Sequence, residues 1–397
     1  MSTLLYIGFA VDKETQNKSP YVSVAGNKFQ LGILEGLKAN FNLKILSILP
    51  TATWPTGNCI QKKRIVDENG MKLELIPFIN MRIFKELSLM VTNFVEVLRY
   101  CLKNREKVII TYNGEAYYTI PIRILKKFFK FKYICMMVDP PLYEGTTNRS
   151  GYIWKFLYQV KASAYKKAVK VSDGIIILNK GVLNQWDLHE KKAILIEGGV
   201  NICDFQFDED QMNAERFDNN YFNIVFSGVL HEHSGILSFV KIFKEYNNPK
   251  VRLYIFGDGV FKEAIEREIA NSENIFMCGT RTNAEILKIQ KSADLLICPN
   301  EIEHPINQGA FPSKLLEYMM SGTPVIATRL KCLDKEYLQH LFVYDGSYEQ
   351  FSAQIAVIIG MLQEERDEFG KLAREFIEQN KTWTMQAKKI ERWLGKL

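Results

Sequence analysis

The stretch from Phe311 to Thr328, FPSKLLEYMMSGTPVIAT, contains the residue types whose spacing points most clearly to chemistry. Its pattern predicts a loop, a helix, a glycine stop and a buried strand, with Ser313 as a favourable N-cap and Gly322 just after the last helical turn. The first turn of such a helix presents N–H groups and the positive end of the helix dipole, and Lys314 adds a full positive charge. The sequence therefore predicts an anion site that would fit a pyrophosphate.

Glu317 is the second candidate side chain, one helical turn beyond Ser313 on the same face. A carboxylate this close to a phosphate would repel it, so Glu317 fits better as an acceptor of hydrogen bonds from ribose hydroxyls. The same residues are also compatible with an ordinary capped amphipathic helix that carries a surface glutamate. Composition alone does not separate these two interpretations.

The elements that must position this helix follow a repeating strand–helix pattern. Buried strands are predicted in the first half at residues 4–9, 43–49, 108–112, 133–138 and 174–178, and in the second half at 223–226, 251–256, 274–277, 295–298, 324–327 and 342–344. Helices are predicted between them, at 236–245, 261–271, 283–292 and 313–320 in the second half. Continuous apolar strands that alternate with helices favour an α/β fold with parallel sheets covered on both faces.

An acidic, aperiodic stretch at residues 201–220 interrupts this alternation and reads as a linker. We therefore expect two doubly wound, Rossmann-like domains, at residues 1–205 and 219–379. Because ligands bind at the carboxyl ends of parallel strands, two such sheets facing each other would enclose a cleft. The last stretch, 380–397, is helical with Trp383, Ala387 and Ile390 on one face, and is expected to return to the first domain.

Length and composition limit the class of protein. The chain has 397 residues, of which 47% are hydrophobic and 24% charged, which suits two globular domains. No apolar run reaches the ~18 residues that a spanning helix needs, and the N-terminus lacks the features of a signal peptide. The seven cysteines are scattered without a C-x-x-C pair, which argues against a disulfide framework or a zinc site and favours a reducing cytoplasm.

The segment 312–328 resembles the donor-binding helix of the retaining family-4 (group 1) glycosyltransferases, which have the GT-B fold. Other features of the family follow in the expected order across nearly all of residues 222–328. They are the strand–glycine turns at Gly228, Gly257 and Gly259, and the loop at Gly279 and Arg281. In the first half the resemblance is looser, and Gly26 and Asn27 stand where the family has its glycine-rich loop.

The resemblance implies a nucleotide-sugar donor, with UDP as the preferred nucleotide, and a glycan or polyprenyl-linked acceptor in bacterial surface polysaccharide synthesis. It implies catalytic roles for Asp139, Lys314 and Glu317. The donor-binding residues that it implies are Gly26, Asn27, Gly228, His231, Gly257, Gly259, Gly279, Arg281, Asn307, Gln308, Gly309, Ala310, Phe311, Pro312, Ser313, Lys314, Leu315 and Glu317. No obligatory cofactor is expected, and no D-x-D arrangement suggests a metal.

The sequence departs from the family pattern at three places. The family often has two glutamates eight residues apart, and the position eight residues before Glu317 is Gly309, so Glu301, Glu303 or the backbone amides of 307–310 would hold the sugar instead. The stretch 228–235 lacks the Arg and Lys that many members place against the diphosphate, which leaves His231 or His233 to assist. Where many members have a histidine at a strand end, this chain has Asp139, which could orient the acceptor hydroxyl.

Charge is unevenly distributed between the two halves. Residues 1–205 contain 29 Lys and Arg against 17 Asp and Glu, whereas residues 206–397 contain 22 against 28. Two basic clusters with interleaved apolar residues lie in the first half, at Arg123, Lys126, Lys127, Lys130 and Lys132, and at Lys155, Lys161, Lys166, Lys167 and Lys170. Such clusters could rest on an anionic membrane at the inner face of the cell membrane, or could be solvated faces of helices whose apolar residues are core.

Three other functions stay open on the sequence alone. A nucleotide-sugar epimerase of the same fold would need carboxylates and histidines that converge on the sugar. A non-catalytic GT-B partner subunit would explain Gly309 and the missing Arg and Lys. A nucleic-acid binder would use the basic half but leaves the second half without a role, so we expect no nucleic-acid partner.

Overall fold

The computed structural model describes residues 3–82, 84–104, 107–138, 152–189, 191–206, 217–309 and 311–397. The chain divides into two compact units, one formed by Met1–Ile196 with Trp383–Leu397 and the other by Glu197–Thr382. The first crossing falls at Glu197, so residues 197–205 belong to the second unit and not to the first, where the sequence analysis put them. Residues Ile202–Phe205 form a 3₁₀ turn, and Phe205 is buried in the core of the second unit.

The first unit is built on a largely parallel sheet. Its strands are β1 (Thr3–Gly8), β2 (Asn42–Ser47), β3 (Ile60–Gln61), β4 (Arg64–Glu68), β5 (Met71–Leu75), β6 (Phe78–Ile79), β7 (Lys107–Tyr112), β8 (Lys132–Met137), β9 (Gly174–Ile177) and β10 (Ala193–Leu195). Its helices are α1 (Lys13–Lys18), α2 (Val24–Lys38), α3 (Phe84–Lys103), α4 (Ala116–Leu125), α5 (Tyr152–Val171) and α6 (Gly181–Gln185). The five strands that the sequence predicts in this half are confirmed.

Eight of these strands form one sheet in the order β10-β9-β8-β7-β1-β2-β5-β4. All neighbours are parallel except β4 and β5, which form an antiparallel hairpin at one edge, and β3 pairs with β6 in a separate antiparallel ribbon. The sequence analysis missed both antiparallel pairs. The strands β3 and β6 are only two residues long, and the alternating apolar and charged residues of Met71–Leu75 are a weaker signal than the continuous apolar strands of the sheet centre.

The second unit contains a smaller sheet in which every strand pair is parallel. Its strands are β11 (Phe222–Ser227), β12 (Val251–Phe256), β13 (Ile275–Gly279), β14 (Leu295–Cys298), β15 (Val325–Thr328) and β16 (Phe342–Tyr344). Its helices are α7 (Ile236–Tyr246), α8 (Lys262–Ile269), α9 (Asn283–Ser292), α10 (Pro305–Gly309), α11 (Ser313–Ser321), α12 (Lys335–Leu338), α13 (Tyr348–Gly360) and α14 (Gln363–Asn380). The strand order is β13-β12-β11-β14-β15-β16, and it reverses direction between β11 and β14.

The last helix, α15 (Trp383–Lys396), belongs to the first unit and packs along α2. Trp383, Ala387 and Ile390 are buried in that contact, as their spacing predicts. Glycines on α2 permit the close approach, because a Cβ at Gly32 would lie 2.1 Å from the indole ring of Trp383. The C-terminal helix thus completes the hydrophobic core of the first unit.

The first basic cluster does not form one amphipathic helix. Helix α4 ends at Leu125, and the remaining residues form a turn that leads into β8 at Lys132. Lys126 donates to Asp173 at 2.5 Å and Lys132 donates to the carbonyl of Leu394 at 2.9 Å, so two of the five basic side chains are bound within the unit. The prediction of a basic helix face over these residues is wrong. Within the described residues, no helix is long and apolar enough to cross a membrane.

Candidate functional site

A pocket of about 190 Å³ lies where the strand order of the second unit reverses. It is lined by the residues that follow β11 and β14 and by the first turn of α11. Its lining includes Phe226, Ser227, Gly228, Val229, His233, Asn300, Asn307, Phe311, Pro312, Ser313, Lys314 and Tyr318. The carboxyl ends of strands at such a reversal point are where open α/β sheets bind their ligands, since the two flanking loops diverge there.

Glycines allow the turns after β11 and β12 to lie directly against each other. Gly257 has φ +141°, and a Cβ there would meet the carbonyl oxygen of Gly228 at 1.8 Å. Gly259 has φ +155°, and a Cβ there would meet the carbonyl of Leu230 at 2.5 Å. The amide of Leu230 in turn donates to the carbonyl of Asp258 at 2.9 Å. The two glycines therefore hold the turn after β12 in close backbone contact with residues 228–230, of which Gly228 and Val229 line the pocket.

Helix α11 begins at Ser313, and its N-cap is Pro312. The prediction that Ser313 caps this helix is wrong: the cap residue precedes it, and no side chain makes a capping hydrogen bond there. The helix ends as predicted, with Gly322 at φ +82°. The amide of Leu315 donates to the Pro312 carbonyl at 2.9 Å, whereas Ser313 and Lys314 line the pocket at the positive end of the helix, where an anion can bind.

Lys314 and Glu317 form an ion pair on the first turn of this helix. The Lys314 ammonium donates to the Glu317 carboxylate at 3.1 Å, and the two side chains are 41% and 11% exposed. Lys314 therefore remains accessible from the pocket, whereas Glu317 is largely buried. The pair places one positive and one negative group side by side, which suits a ligand with both phosphate and hydroxyl groups.

Tyr318 fixes α11 to the end of β11. Its hydroxyl accepts a hydrogen bond from the Ser227 amide at 2.7 Å and a second one from the Ser227 hydroxyl at 3.2 Å. The Ser227 hydroxyl in turn accepts from the Gln290 amide at 3.0 Å. Burial raises the pKa of the Tyr318 phenol well above its ordinary value, so the group stays neutral. Sequence reasoning missed Tyr318 and Gln290, since a Tyr and a Gln on helices give no signal of a polar contact 91 and 63 residues away.

Asn307 holds the loop that follows β14. Its amide donates to the carbonyls of His233, at 2.6 Å, and Glu301, at 2.8 Å, and the side chain is buried. Gln308 donates to the carboxylate of Glu303 at 3.2 Å. The two upstream glutamates are occupied as well, because Ser238 donates to Glu301 in a short hydrogen bond. These contacts set the position of the loop rather than presenting free groups.

Three histidines cluster at one side of the pocket. The ring of His233 lies 5.8 Å from that of His231 and 5.9 Å from that of His304, and His304 lies 4.0 Å from Glu232. Burial lowers the pKa of His233, and the neighbouring imidazoles of His231 and His304 lower it further. His233 is therefore held neutral near pH 7 and would gain a proton more readily beside a bound anion.

The remaining predicted site residues lie elsewhere or outside the described residues. Arg281 donates to the carbonyls of Cys278, at 2.8 Å, and Thr280, at 3.1 Å, on the loop after Gly279. Asp139 and Ala310 lie outside the described residues. Gly309 ends α10, and Leu315 is buried in the core of the second unit.

The predicted glycine-rich loop at Gly26 and Asn27 is not a loop. Both residues lie in the first turn of α2, which Ser23 caps by accepting from the Gly26 amide at 3.2 Å. The Asn27 side chain is buried, accepts from the amide of Val11 at 2.9 Å and donates to the carbonyl of Val11 at 2.9 Å. Both polar atoms of the Asn27 side chain are therefore used to hold α2 against the backbone of Val11.

A search of the described residues for metal-binding groups finds no set of three or more His, Cys, Asp or Glu side chains arranged to hold an ion. The donor groups of the pocket are instead backbone amides, Lys314 and His233. Such groups bind anions directly through hydrogen bonds and charge.

The fold resembles that of known glycosyltransferases over its whole length. Sucrose-phosphate synthase from Thermosynechococcus elongatus aligns with a TM-score of 0.69 and 15% identity, covering 99% of each chain. HepE of Anabaena, solved in complex with UDP, aligns with a TM-score of 0.66 and 13% identity over 100% of each chain. A glycosyltransferase from Rickettsia africae aligns with a TM-score of 0.67 and 14% identity, covering 99% of this chain and 98% of its own. These similarities establish the α/β GT-B fold.

Sequence comparison relates the second half of the chain to a known family. Residues 207–383 match the family model of the glycosyl transferases group 1. TuaH of Bacillus subtilis (strain 168) is 23% identical to this chain over 299 residues. Its name describes a glycosyltransferase of teichuronic acid biosynthesis. That alignment covers 71% of this chain and 73% of TuaH.

Proposed function

We propose that this group 1 glycosyltransferase transfers a sugar, with retention of configuration, from a nucleoside-diphosphate sugar to a glycan or polyprenyl-linked acceptor in bacterial surface polysaccharide synthesis. UDP is the proposed nucleotide. The observation that carries the proposal is Lys314, which lines the pocket at the strand-order reversal from the N-terminus of α11 and pairs with the largely buried Glu317. The similarity to TuaH and to a UDP-bound HepE supports the polysaccharide pathway and the choice of UDP.

In this proposal the diphosphate lies against the N-terminus of α11. The helix dipole, the first-turn amides and Lys314 would stabilise the negative charge that develops on the leaving diphosphate. Glu317, which is largely buried, would accept hydrogen bonds from the ribose hydroxyls. His233 would add a hydrogen bond to a phosphate oxygen and become protonated there.

The proposed transfer needs no carboxylate pair of the kind that glycoside hydrolases use. The bond between the anomeric carbon and the phosphate oxygen breaks, and a bond between that carbon and the acceptor oxygen forms on the same face. The acceptor proton passes to the leaving phosphate oxygen. Asp139, outside the described residues, is proposed to orient the acceptor hydroxyl, and the protein contributes mainly positioning and charge stabilisation.

Thermal unfolding against UDP, GDP, dTDP, ADP and NAD tests the donor site. A ligand at 100 times its dissociation constant adds about 2.7 kcal/mol to stability, which shifts the unfolding temperature by several degrees. We expect a shift with UDP that Lys314→Ala and Glu317→Gln each reduce strongly. Lys371→Ala and Glu368→Gln are matched controls, since these residues form an ion pair of the same spacing at 3.2 Å on the surface of α14.

Each other outcome points to a different protein. A shift that survives both site variants would place the donor elsewhere. Conversion of a nucleotide sugar without an acceptor would indicate an epimerase, and no shift with any nucleotide would indicate a non-catalytic partner subunit. Retention is checked by the anomeric configuration of the product, and metal independence by activity that persists in excess chelator.

A further inference from the structure

Helix α3 has apolar side chains on two opposite faces. One face is core, with Leu89, Val97 and Tyr100 buried in the first unit. The opposite face bears large apolar residues that are exposed: Phe84 at 53%, Leu87 at 57%, Val91 at 58%, Val95 at 37% and Leu102 at 69%. At 100° per residue these five fall within an arc of about 80°, so they form one continuous stripe.

The stripe is extended by the short ribbon that precedes the helix. Ile60 of β3 pairs with Ile79 of β6, and both side chains are exposed. The ribbon is fixed to α3, because the amide of Ile79 donates to the hydroxyl of Ser88 at 3.0 Å. Ser88 lies within one turn of Phe84, Leu87 and Val91, so the ribbon residues and the helix stripe lie side by side. We call this combined face, Ile60, Ile79 and the five helix residues, the α3 face.

Basic side chains surround the α3 face. Residues 60–65 (IQKKRI) contain three basic residues and no acidic one, and Lys62 and Arg64 are exposed. Arg82 precedes the helix and is exposed, and Lys103 ends it. Of the acidic residues nearby, Glu96 pairs with Lys44 at 2.7 Å, Glu74 pairs with Lys63 at 3.0 Å, and Glu86 follows Lys85 in the first turn of α3.

We propose that the α3 face docks the protein on an anionic lipid surface. An exposed apolar stripe, about 27 Å long from its first to its last residue at 1.5 Å per residue, can enter the boundary between headgroups and acyl chains. The surrounding lysines and arginines would then lie at the level of the lipid phosphates, which attract them. The inference rests on the proposed function in one respect, since a polyprenyl-linked acceptor would require the chain to meet a membrane.

Charge complementarity favours a lipid surface over a second copy of the chain. In a symmetric dimer through this face, Lys62, Arg64 and Arg82 of one copy would approach the same basic rim of the other. Glu74 and Glu96 are already paired with lysines of the same chain, so the like charges of the two rims would oppose each other. The α3 face also borders a groove of about 870 Å³ in the same unit, whose lining includes Tyr21, Ile60, Lys62 and Arg64.

The test is sedimentation of the full chain with phosphatidylcholine vesicles that contain phosphatidylglycerol, and with vesicles of phosphatidylcholine alone. We expect binding to the anionic vesicles that falls with salt and is at least about tenfold weaker in Leu87→Ser/Val91→Ser. Val357→Ser/Leu362→Ser is the matched control, since these two residues are 60% and 65% exposed on the second unit. Lys62→Glu/Arg82→Glu should lose binding similarly, whereas Lys331→Glu/Lys388→Glu should lose less.

The outcomes separate this inference from the proposed function, because UDP affinity is measured on the same variants and should not change. Wild-type binding that the α3 variants retain would overturn the docking surface. No vesicle binding, with a dimer that Leu87→Ser/Val91→Ser converts to a monomer, would assign the face to a second copy. No vesicle binding and no dimer would also overturn it, whatever the result with UDP.

Discussion

The Tyr318 hydroxyl lies 2.7 Å from the amide nitrogen of Ser227, and this contact fastens the first turns of α11 to the end of β11. The same hydroxyl donates to the Ser227 carbonyl at 2.9 Å. Helix α11 and the end of β11, which both line the pocket, are thus fixed to each other by one buried phenol. The position of the pocket depends on this contact as much as on the residues that line it.

Tyr318→Phe should lower both stability and UDP affinity. The substitution leaves the buried Ser227 amide without this acceptor, which costs about 1–3 kcal/mol. Because α11 is then less firmly held against β11, we expect the UDP dissociation constant to rise severalfold. Thermal unfolding and calorimetric titration measure the two effects. Tyr246→Phe is the control, since its hydroxyl accepts one long hydrogen bond, 3.3 Å, near the surface. Equal behaviour of the two variants would contradict the role of Tyr318.

Acid should weaken the fold partly through His233. Burial and the neighbouring His231 and His304 lower its pKa in the folded state below the ordinary 6.5. As the pH falls through 6.5 toward that lower value, the unfolded chain takes up the proton first, so stability is lost in this window and is fully present above it. His233→Asn should therefore lose less stability than the wild type between about pH 8 and pH 5. His189→Asn, an exposed histidine of the first unit, is the control.

Lys381→Met should destabilise the second unit strongly. Lys381 is buried and donates to both oxygens of Glu197 at 3.2 Å and to Glu336 at 2.9 Å. Removing one partner leaves the buried Glu197 carboxylate uncompensated, which costs about 3–5 kcal/mol. Lys381→Met/Glu197→Gln should recover part of this loss, because no charge is then left buried. Urea unfolding measures both.

The control for that ion pair is Arg374→Met, which breaks a half-exposed pair with Glu378 at 2.8 Å. An exposed pair contributes up to about 1 kcal/mol, so this variant should change stability little. If Lys381→Met were no worse than Arg374→Met, the segments that carry Glu197 and Lys381 would not depend on each other. They are the places where the chain crosses between its two units.

Gly257→Ala should disrupt the turn that packs against Gly228 in the wall of the donor pocket. A Cβ would lie 1.8 Å from the Gly228 carbonyl, and φ is +141°, so the turn after β12 would have to move away from β11. We expect a loss of several kcal/mol, about 3 or more, together with loss of UDP binding. Gly395→Ala is the opposite case, since it lies in α15 with no atom within 4 Å of its Cβ position, and it should stabilise by up to about 1 kcal/mol. Thermal unfolding compares the two.

Much of the fold could be predicted from local patterns. Continuous apolar strands such as Gly174–Ile177 and Leu295–Cys298, and the helix with its stop at Gly322, agree with the structure because burial on both faces and a left-handed C-cap leave a direct mark on the sequence. The apolar spacing from Trp383 to Leu394 likewise predicted the buried face of the last helix.

The tertiary structure alone decided which polar groups meet. Ser313 is a good cap by residue type, yet the helix begins one position earlier than that role requires. The sequence predicts a loop at Asn27, yet this residue lies in α2 and its side chain binds the backbone of Val11 inside the first unit. Packing brings Tyr318 to Ser227 and Lys381 to Glu197. Packing also leaves the apolar stripe on α3 uncovered, opposite the face that lies in the core. Periodicity records which side of an element is apolar, whereas long-range hydrogen bonds and the absence of a covering neighbour are set by the three-dimensional arrangement of the elements.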